Sequence, residues 1–314
     1  MTKRKVKNSV IIIINSNSMK KNKKILAFDI GGTKIASALV EIKKDGYKIY
    51  DYQKTETPEG KDEVINKIIE IAINYEKDGG FEKVGMAIAG QIDYIKDVVK
   101  DAPNIPGFKN VNLKKIIKDK IGKNVEIDND VKCFALAENR FGKGKKYNDV
   151  VYLTIGTGIG GAIEIGNRPY RGANNTAGEF GHMIISFGGK KCSCGNSGCW
   201  EQYASGRAIE KLYYEFSGKI KKAKDIAFDS AKNMELDKKV IGQASLYLAV
   251  GLINIVNTIN PEAIIIGGSV VKGKEVFNLA IKEMRSKALL PAKKTKIEIT
   301  SLEDEAFLVG AGML

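Results

Sequence analysis

The sequence predicts an α/β protein of two domains. Its 314 residues are about twice the length of an ordinary domain. With 43% hydrophobic and 28% charged residues, the composition is that of a globular chain. A strand, a glycine-rich turn and a second strand occur twice, at Ile25 and again at Val150.

The elements follow from periodicity. Ile25 to Ile30 is a continuous apolar strand, Ile35 to Ile42 a second after a Gly-Gly turn, and Tyr47 to Lys54 a third. Glu63 to Tyr75 places Ile65, Ile68, Ile69 and Ala72 at helical spacing, which predicts a helix with one buried face. Val84 to Ala89 reads as a strand, Val111 to Ile121 as a helix, Val125 to Ile127 as a strand, and Val131 to Phe141 as a helix. Past the loop GKGKKYND the pattern restarts with a strand over Val150 to Ile155, a glycine turn and a returning strand over Ala162 to Ile165. A long helix near Lys238 to Thr258, a strand at Ala263 to Ile266, a helix, a strand at Lys296 to Thr300 and a short final helix complete the chain.

The formal charge of +14 is unevenly spread. Residues 1–24 carry eight Lys or Arg and no acid, so the remainder is near +6. Much of that remainder is lysine scattered along Ile-rich helices, a solvated face rather than a phosphate-reading patch, and nucleic-acid binding is not expected. The apolar run Val10 to Ile14 is too short for a membrane span or a secretory signal. Residues 1–18 are expected to be a disordered arm, or a misassigned start ahead of Met19, and the compartment to be cytoplasmic.

Two glycine-rich turns stand at corresponding points of the halves. The first is Asp29-Ile-Gly31-Gly32-Thr33-Lys34, the second Thr154-Ile-Gly156-Thr157-Gly158-Ile-Gly160-Gly161. Gly156, Gly158 and Gly161 satisfy G-x-G-x-x-G, but a dinucleotide fold needs a helix after them and a strand is expected here. Walker spacing is absent. What remains is a pair of hairpins whose bare N–H groups and threonine hydroxyls suit a polyanion, with ordinary turns as the alternative.

The stretch GEFGHMIISFGGKKCSCGNSGCWEQ gathers the chain's one histidine, His182, with three of its four cysteines, Cys192, Cys194 and Cys199. Three thiolates and an imidazole are a full tetrahedral set for structural zinc. A disulfide would leave a thiol and the histidine unexplained and is disfavoured in a reducing compartment. The cluster brackets Glu179 and Glu201, so ordering the loop around a metal would hold both carboxylates; a knuckle that only staples the loop is the competing reading. Cys133 reads as a small core residue.

These residues resemble the ROK kinases and regulators, within the actin-like superfamily of sugar kinases. The resemblance runs from Ile25 to the end and is most specific in Gly172 to His182 followed by the Cys-Ser-Cys-Gly-Asn-Ser-Gly-Cys-Trp-Glu segment ending at Glu201. Asp29 to Lys34 is similar to the family's first phosphate motif and Thr154 to Gly161 to its second. Pro103-Asn104-Ile-Pro106-Gly107 resembles its sugar loop, Asn129-Asp130 its catalytic pair, and Pro261 to Ser269, with Gly267 and Gly268, its adenosine element. Ala89-Gly90-Gln91 and Phe108 depart from the usual pattern without removing a catalytic side chain.

The resemblance implies two actin-like, ribonuclease H-like domains around a central cleft. Residues 19–130 would form the smaller, joined by a C-terminal helix over 303–314, and residues 131–302 the larger, with the zinc loop. It implies an ATP-dependent hexose kinase acting on a 6-hydroxyl, glucose first, with N-acetylmannosamine or N-acetylglucosamine next and then fructose. Asp130 would be the catalytic base. Asn104, Asn129, Asp130, Glu179, His182 and Glu201 would hold the sugar. Asp29, Gly31, Gly32, Thr33, Lys34, Thr154, Gly156, Thr157, Gly158, Gly160, Gly267 and Gly268 would hold ATP and magnesium, and a homodimer or dimer of dimers is implied. The family's repressors carry a DNA-binding domain ahead of the first phosphate motif; the 28 residues before Asp29 leave no room for one, so that role is not expected.

Overall fold

A computed structural model describes residues 24–272 and 274–314. The expectation for residues 1–18 lies outside them. Strands β1 (Ile25–Ile30), β2 (Lys34–Lys43) and β3 (Gly46–Glu56) form an antiparallel meander. Helix α1 (Lys61–Lys77) then crosses to β4 (Lys83–Ile88), parallel to β1. A small sheet of β5 (Gln91–Asp93), β6 (Val98–Asp101) and β7 (Lys109–Val111) intervenes before helix α2 (Leu113–Ile121) and β8 (Asn124–Asn129). The first main sheet has the order β3-β2-β1-β4-β8.

Helix α3 (Asp130–Phe141) leads to the second half. There β9 (Val150–Ile155), β10 (Ile159–Ile165) and β11 (Arg168–Pro169) pair antiparallel. Helices α4 (Glu201–Ala204), α5 (Gly206–Ser217), α6 (Ala223–Ser230) and α7 (Glu235–Thr258) follow. Strand β12 (Ala263–Gly267), helix α8 (Lys274–Lys287), strand β13 (Lys296–Ile299) and helix α9 (Glu305–Ala311) end the chain. The second sheet reads β11-β10-β9-β12-β13, the same arrangement as the first. Each sheet thus has a hairpin joined to two parallel strands, and the glycine turns are the β1–β2 and β9–β10 corners.

The two sheets have separate apolar cores. Leu26, Phe28 and Met86 of the first pack with Ile68 and Ile117 of α1 and α2, while Leu153 and Ile266 of the second pack with Ile209, Leu248 and Phe277 of α5, α7 and α8. Between the sheets lie α3 and α9: Cys133 joins Ala27, Val40 and Leu308, and Phe134 joins Tyr152, Ile265 and Val309. Cys133 is fully buried because Gly310 of α9 lies against its backbone, as the core reading expects. Helix α7 has the length and apolarity to cross a membrane, but its inner residues Leu248, Leu252 and Val256 are fully buried in the second core.

Two expectations need correction, and two groups of elements are additional. Gly160 and Gly161 lie inside β10, which starts at Ile159, because Val131 and Phe180 fill the space above them that side chains would occupy. The small sheet β5–β7 and helices α4–α6 were not expected. The C-terminal helix spans Glu305–Ala311, shorter than 303–314.

Candidate active site

Asp29 sits one residue from the end of β1, in register with Ala87 of β4, itself in register with Asp128 of β8. Asp130 opens α3 just past β8, so both carboxylates emerge at the carboxyl ends of the first sheet's strands, where open α/β sheets place ligands. Asn129 caps α3: its Oδ1 accepts from the N–H groups of Val131 (3.0 Å) and Lys132 (3.2 Å), and its Nδ2 donates to the Gly90 carbonyl at 3.0 Å. Both ends of the amide are engaged, so Asn129 fixes the start of the helix that carries Asp130. The Asp130 Oδ1 accepts from the Val131 N–H at 2.9 Å.

Burial, then the charge of Asp130, pushes Asp29 up to about 7. Asp304 adds to the rise and Lys54 opposes it. Asp130 is also pushed up to about 7, by burial first, with Glu179 contributing, against hydrogen bonds that favour its anion. Burial raises Glu179 as well, while His182 and Lys132 hold it down. Asp29, Asp130 and Glu179 are therefore electrostatic neighbours drawn from both halves of the chain.

In the first glycine turn, Gly31 N donates to Lys34 O at 3.0 Å, and the Thr57 hydroxyl donates to Gly31 O at 2.7 Å. A Cβ on Gly32 would come within 2.6 Å of the Asn104 Cβ, so this turn rests directly on the loop that holds Asn104. In the second turn Gly156 N donates to Gly158 O at 3.0 Å. The start of α5 is pressed against it: Gly206 N donates to Gly156 O at 2.7 Å, and Ser205 Oγ caps the helix by accepting from Ala208 N at 3.2 Å. Gly267 pairs with Thr154, and Gly268, at φ 100, lies against the Ile155 backbone, so the third glycine element adjoins the second turn. Thr33 and Lys34 end the first turn, while Thr157 O accepts from Arg207 N at 3.4 Å. The Arg207 Nη2 donates to Asn104 Oδ1 at 3.5 Å.

The ligand atoms of His182, Cys192, Cys194 and Cys199 all lie within 4.8 Å of one another. His182 Nδ1 is 3.7 Å from Cys192 Sγ, and Cys194 Sγ is 3.6 Å from Cys199 Sγ. With Zn–S bonds of about 2.3 Å, the edge of a tetrahedral sulfur set is about 3.8 Å, so these two pairs match such a set, while the other pairs, all within 4.8 Å, would draw in around an ion. The loop closes through Cys192 N donating to Asn196 O at 2.8 Å and through left-handed Gly195 and Gly198. Burial and the adjoining thiols push Cys199 up to about 12, a crowding that a divalent cation would relieve by taking thiolates. Glu201 opens α4 directly after Trp200, and its Oε2 accepts from Ile159 N at 3.4 Å beside Gly158. The cluster thus adjoins the second glycine turn.

Sequence reasoning missed Thr57, Gly206, Arg207 and the polar group Tyr94, Asp128, Lys132, Arg171 and Asn175. Only Ser205, a serine ahead of a helical pattern, offered a local signal for α5.

The chain belongs to the ROK family, whose sequence pattern matches residues 25–314. It is similar to the glucokinase of Thermotoga maritima, 29% identical over 93% of this chain and 96% of that one. It is also similar to the xylose repressor of Bacillus spizizenii, 32% identical over 87% of this chain and 71% of the repressor. The structure of a ROK family glucokinase from Streptomyces griseus in complex with glucose and AMPPNP superimposes with a TM-score of 0.82, at 29% identity over 92% of this chain and 98% of that one. The fold is that of the actin-like ROK sugar kinases.

Proposed function

We propose that the protein is an ATP-dependent sugar kinase that transfers the γ-phosphoryl group to the 6-hydroxyl of a hexose, glucose first, then N-acetylmannosamine or N-acetylglucosamine, then fructose. The observation that carries this reading is the convergence of Asp130 with Asp29 and Glu179, each raised by burial, between two glycine turns. The cleft lies between a smaller lobe on the first sheet and a larger one on the second, with α3 and α9 between them. Glu179, Glu201, His182 and Asn104 orient the sugar through its hydroxyls, each carboxylate oxygen accepting directionally.

Asp130 takes the proton of the attacking hydroxyl as its oxygen bonds to phosphorus and the bond to the ADP oxygen breaks. Such a transition state is loose, so alignment and charge neutralisation contribute more than the base. The N–H groups of Gly31, Gly156, Gly206 and Arg207 already donate within the protein, so the phosphates would be met by those of Gly32 and Thr33 in the first turn and of Thr157 and Gly158 in the second. Asp29, whose carboxylate accepts no hydrogen bond among the described residues and has Asp130 and Asp304 nearby, fits a hard cation. A magnesium ion held there would neutralise phosphate charge. His182, Cys192, Cys194 and Cys199 would hold zinc, leaving the second histidine nitrogen for the sugar.

The test is ADP release with magnesium and ATP across glucose, mannose, fructose, N-acetylglucosamine, N-acetylmannosamine and xylose. One strong hexose responder supports the proposal. Xylose lacks a 6-hydroxyl, so xylose binding without turnover of any hexose would favour the sugar-sensing role named for the repressor relatives.

A further inference from the structure

Lys132 is an uncomfortable residue where it stands. It occupies the first turn of α3, where the helix dipole disfavours a cation, and burial lowers its pKa. Its ammonium donates to the Asn175 carbonyl at 3.0 Å and to Asn175 Oδ1 at 2.9 Å. Asn175 Nδ2 then donates to the Ile92 carbonyl of β5 at 2.9 Å. Asn175 holds a left-handed φ of 60 to do so. One amide therefore joins three separate segments: α3, the small sheet, and the loop that runs into Glu179.

That loop is a closed unit. Ala177 N donates to Arg171 O at 3.2 Å, and Gly178 lies against Gly161 of β10, so its far end is fixed to the second sheet. Toward the first sheet it is held by Asn175 and by Arg171, whose Nη2 donates to the buried Asp128 carboxylate at 2.7 Å and whose guanidinium covers the Tyr94 ring at 4.4 Å. The Tyr94 hydroxyl also donates to Asp128. These contacts stand between Glu179, which follows this loop, and Asp130, two residues before Lys132.

We propose that Lys132 and Asn175 are positioning residues that fix the Glu179 loop against the helix of Asp130, and so align bound sugar with the catalytic base. The inference rests on the assignment of Glu179 and Asp130 to the sugar site. Lys132 and Asn175 touch neither substrate; they act through Glu179.

The test uses the full chain with Lys132→Met, Lys132→Arg, Asn175→Gly and the Met/Gly double variant. Glycine keeps the left-handed backbone and removes the three side-chain bonds, to Lys132, Arg171 and Ile92, so it isolates the strap if Lys132→Met folds poorly. The sugar Kd by calorimetry and the sugar KM should rise about tenfold or more, with kcat falling, because misplacement of about 1 Å is costly in an aligned reaction. The ATP KM and zinc content should stay within about twofold, since the strap touches neither glycine turn nor the cluster. The double variant should be no worse than the worse single one, and Lys132→Arg should recover most of the loss. Sugar Kd and KM unchanged in both single variants would overturn the inference, as would an equal loss for ATP. If the unaltered protein binds and phosphorylates no sugar, the kinase reading fails separately; the strap is then read by hydrogen exchange of the 171–178 amides, where faster exchange in both variants upholds it and unchanged exchange overturns it.

Discussion

The indole of Trp200 occupies the space that a side chain at position 251 would fill. Trp200 follows the last cysteine of the cluster, is fully buried, and donates from Nε1 to the Tyr247 carbonyl at 2.8 Å, so one side chain docks the metal loop on α7. Gly251→Ala should push the indole out, at about 1–3 kcal/mol for overpacking. Trp200→Ala should cost about 3–5 kcal/mol by leaving a cavity. Both should lower the melting temperature and weaken zinc retention, measured by thermal unfolding and elemental analysis; a Gly251→Ala variant as stable as the parent would contradict the packing.

The raised carboxylates make stability and activity run in opposite directions with pH. Asp29 and Asp130 each move from the usual carboxylate range to about 7 in the folded state. Their contribution to stability is therefore complete below about pH 4 and is lost as pH rises through about 7. Asp130→Asn keeps the oxygen that accepts from Val131 N and removes the charge beside Asp29. Its melting temperature should exceed that of the parent at pH 8, with the gap closing toward pH 4. Turnover should fall by about two to four orders of magnitude, the range expected for removing a general base. In the unaltered protein kcat/KM for sugar should climb through about pH 7 as Asp130 ionises. A melting curve that is the same for both proteins at pH 8 would show that Asp130 carries no buried charge.

Long apolar strands and the helical stripe of α1 were legible because each encodes its own burial in periodicity. Strands β5 to β7 were not, since segments of three or four residues such as Gln91–Asp93 and Lys109–Val111 have no period to read. Gly160 and Gly161 read as turn residues, whereas their lack of a side chain serves packing against α3 and Phe180 across the sheet. In the candidate site, the gathering of the histidine and three cysteines was legible because they lie within 18 residues of sequence, from His182 to Cys199. The contact between Lys132 and Asn175 spans 43 residues and has no local signature. Asn129 was expected on the sugar, but its capping bonds became visible only once the start of α3 was placed at Asp130.

If the cluster holds zinc, removing it should act on sugar more than on nucleotide, since the cluster reaches the second glycine turn only through Glu201. His182 lies three residues after Glu179, and its N–H donates to the Glu179 carbonyl at 3.0 Å, so freeing the imidazole loosens the carboxylate as well. The glycine turn at Gly31 to Thr33 is on the other half of the chain and keeps its own bonds to Thr57. After chelation the sugar KM should rise steeply while ADP binding by calorimetry changes little, and added zinc should restore the sugar KM. Equal losses for both ligands would mean that the cluster supports the whole fold rather than the sugar side of the cleft.

The two glycines of the first turn should respond differently to the same substitution. A Cβ on Gly31 would meet only the Lys34 carbonyl at 3.4 Å, an ordinary contact. On Gly32 it would lie 2.5 Å from the Asn104 carbonyl oxygen and 2.6 Å from the Asn104 Cβ, and backbone cannot yield as a flexible side-chain tip would. Neither glycine has a positive φ, so backbone strain does not confuse the comparison. Gly31→Ala should therefore alter the ATP KM modestly and leave the sugar KM in place. Gly32→Ala should raise both, because the phosphate turn and the Asn104 loop must part, and closeness of the two turns is what aligns donor with acceptor. Steady-state kinetics with each substrate varied in turn would check this. A Gly32→Ala variant with an unchanged sugar KM would mean that Asn104 does not hold the sugar from its place above the turn.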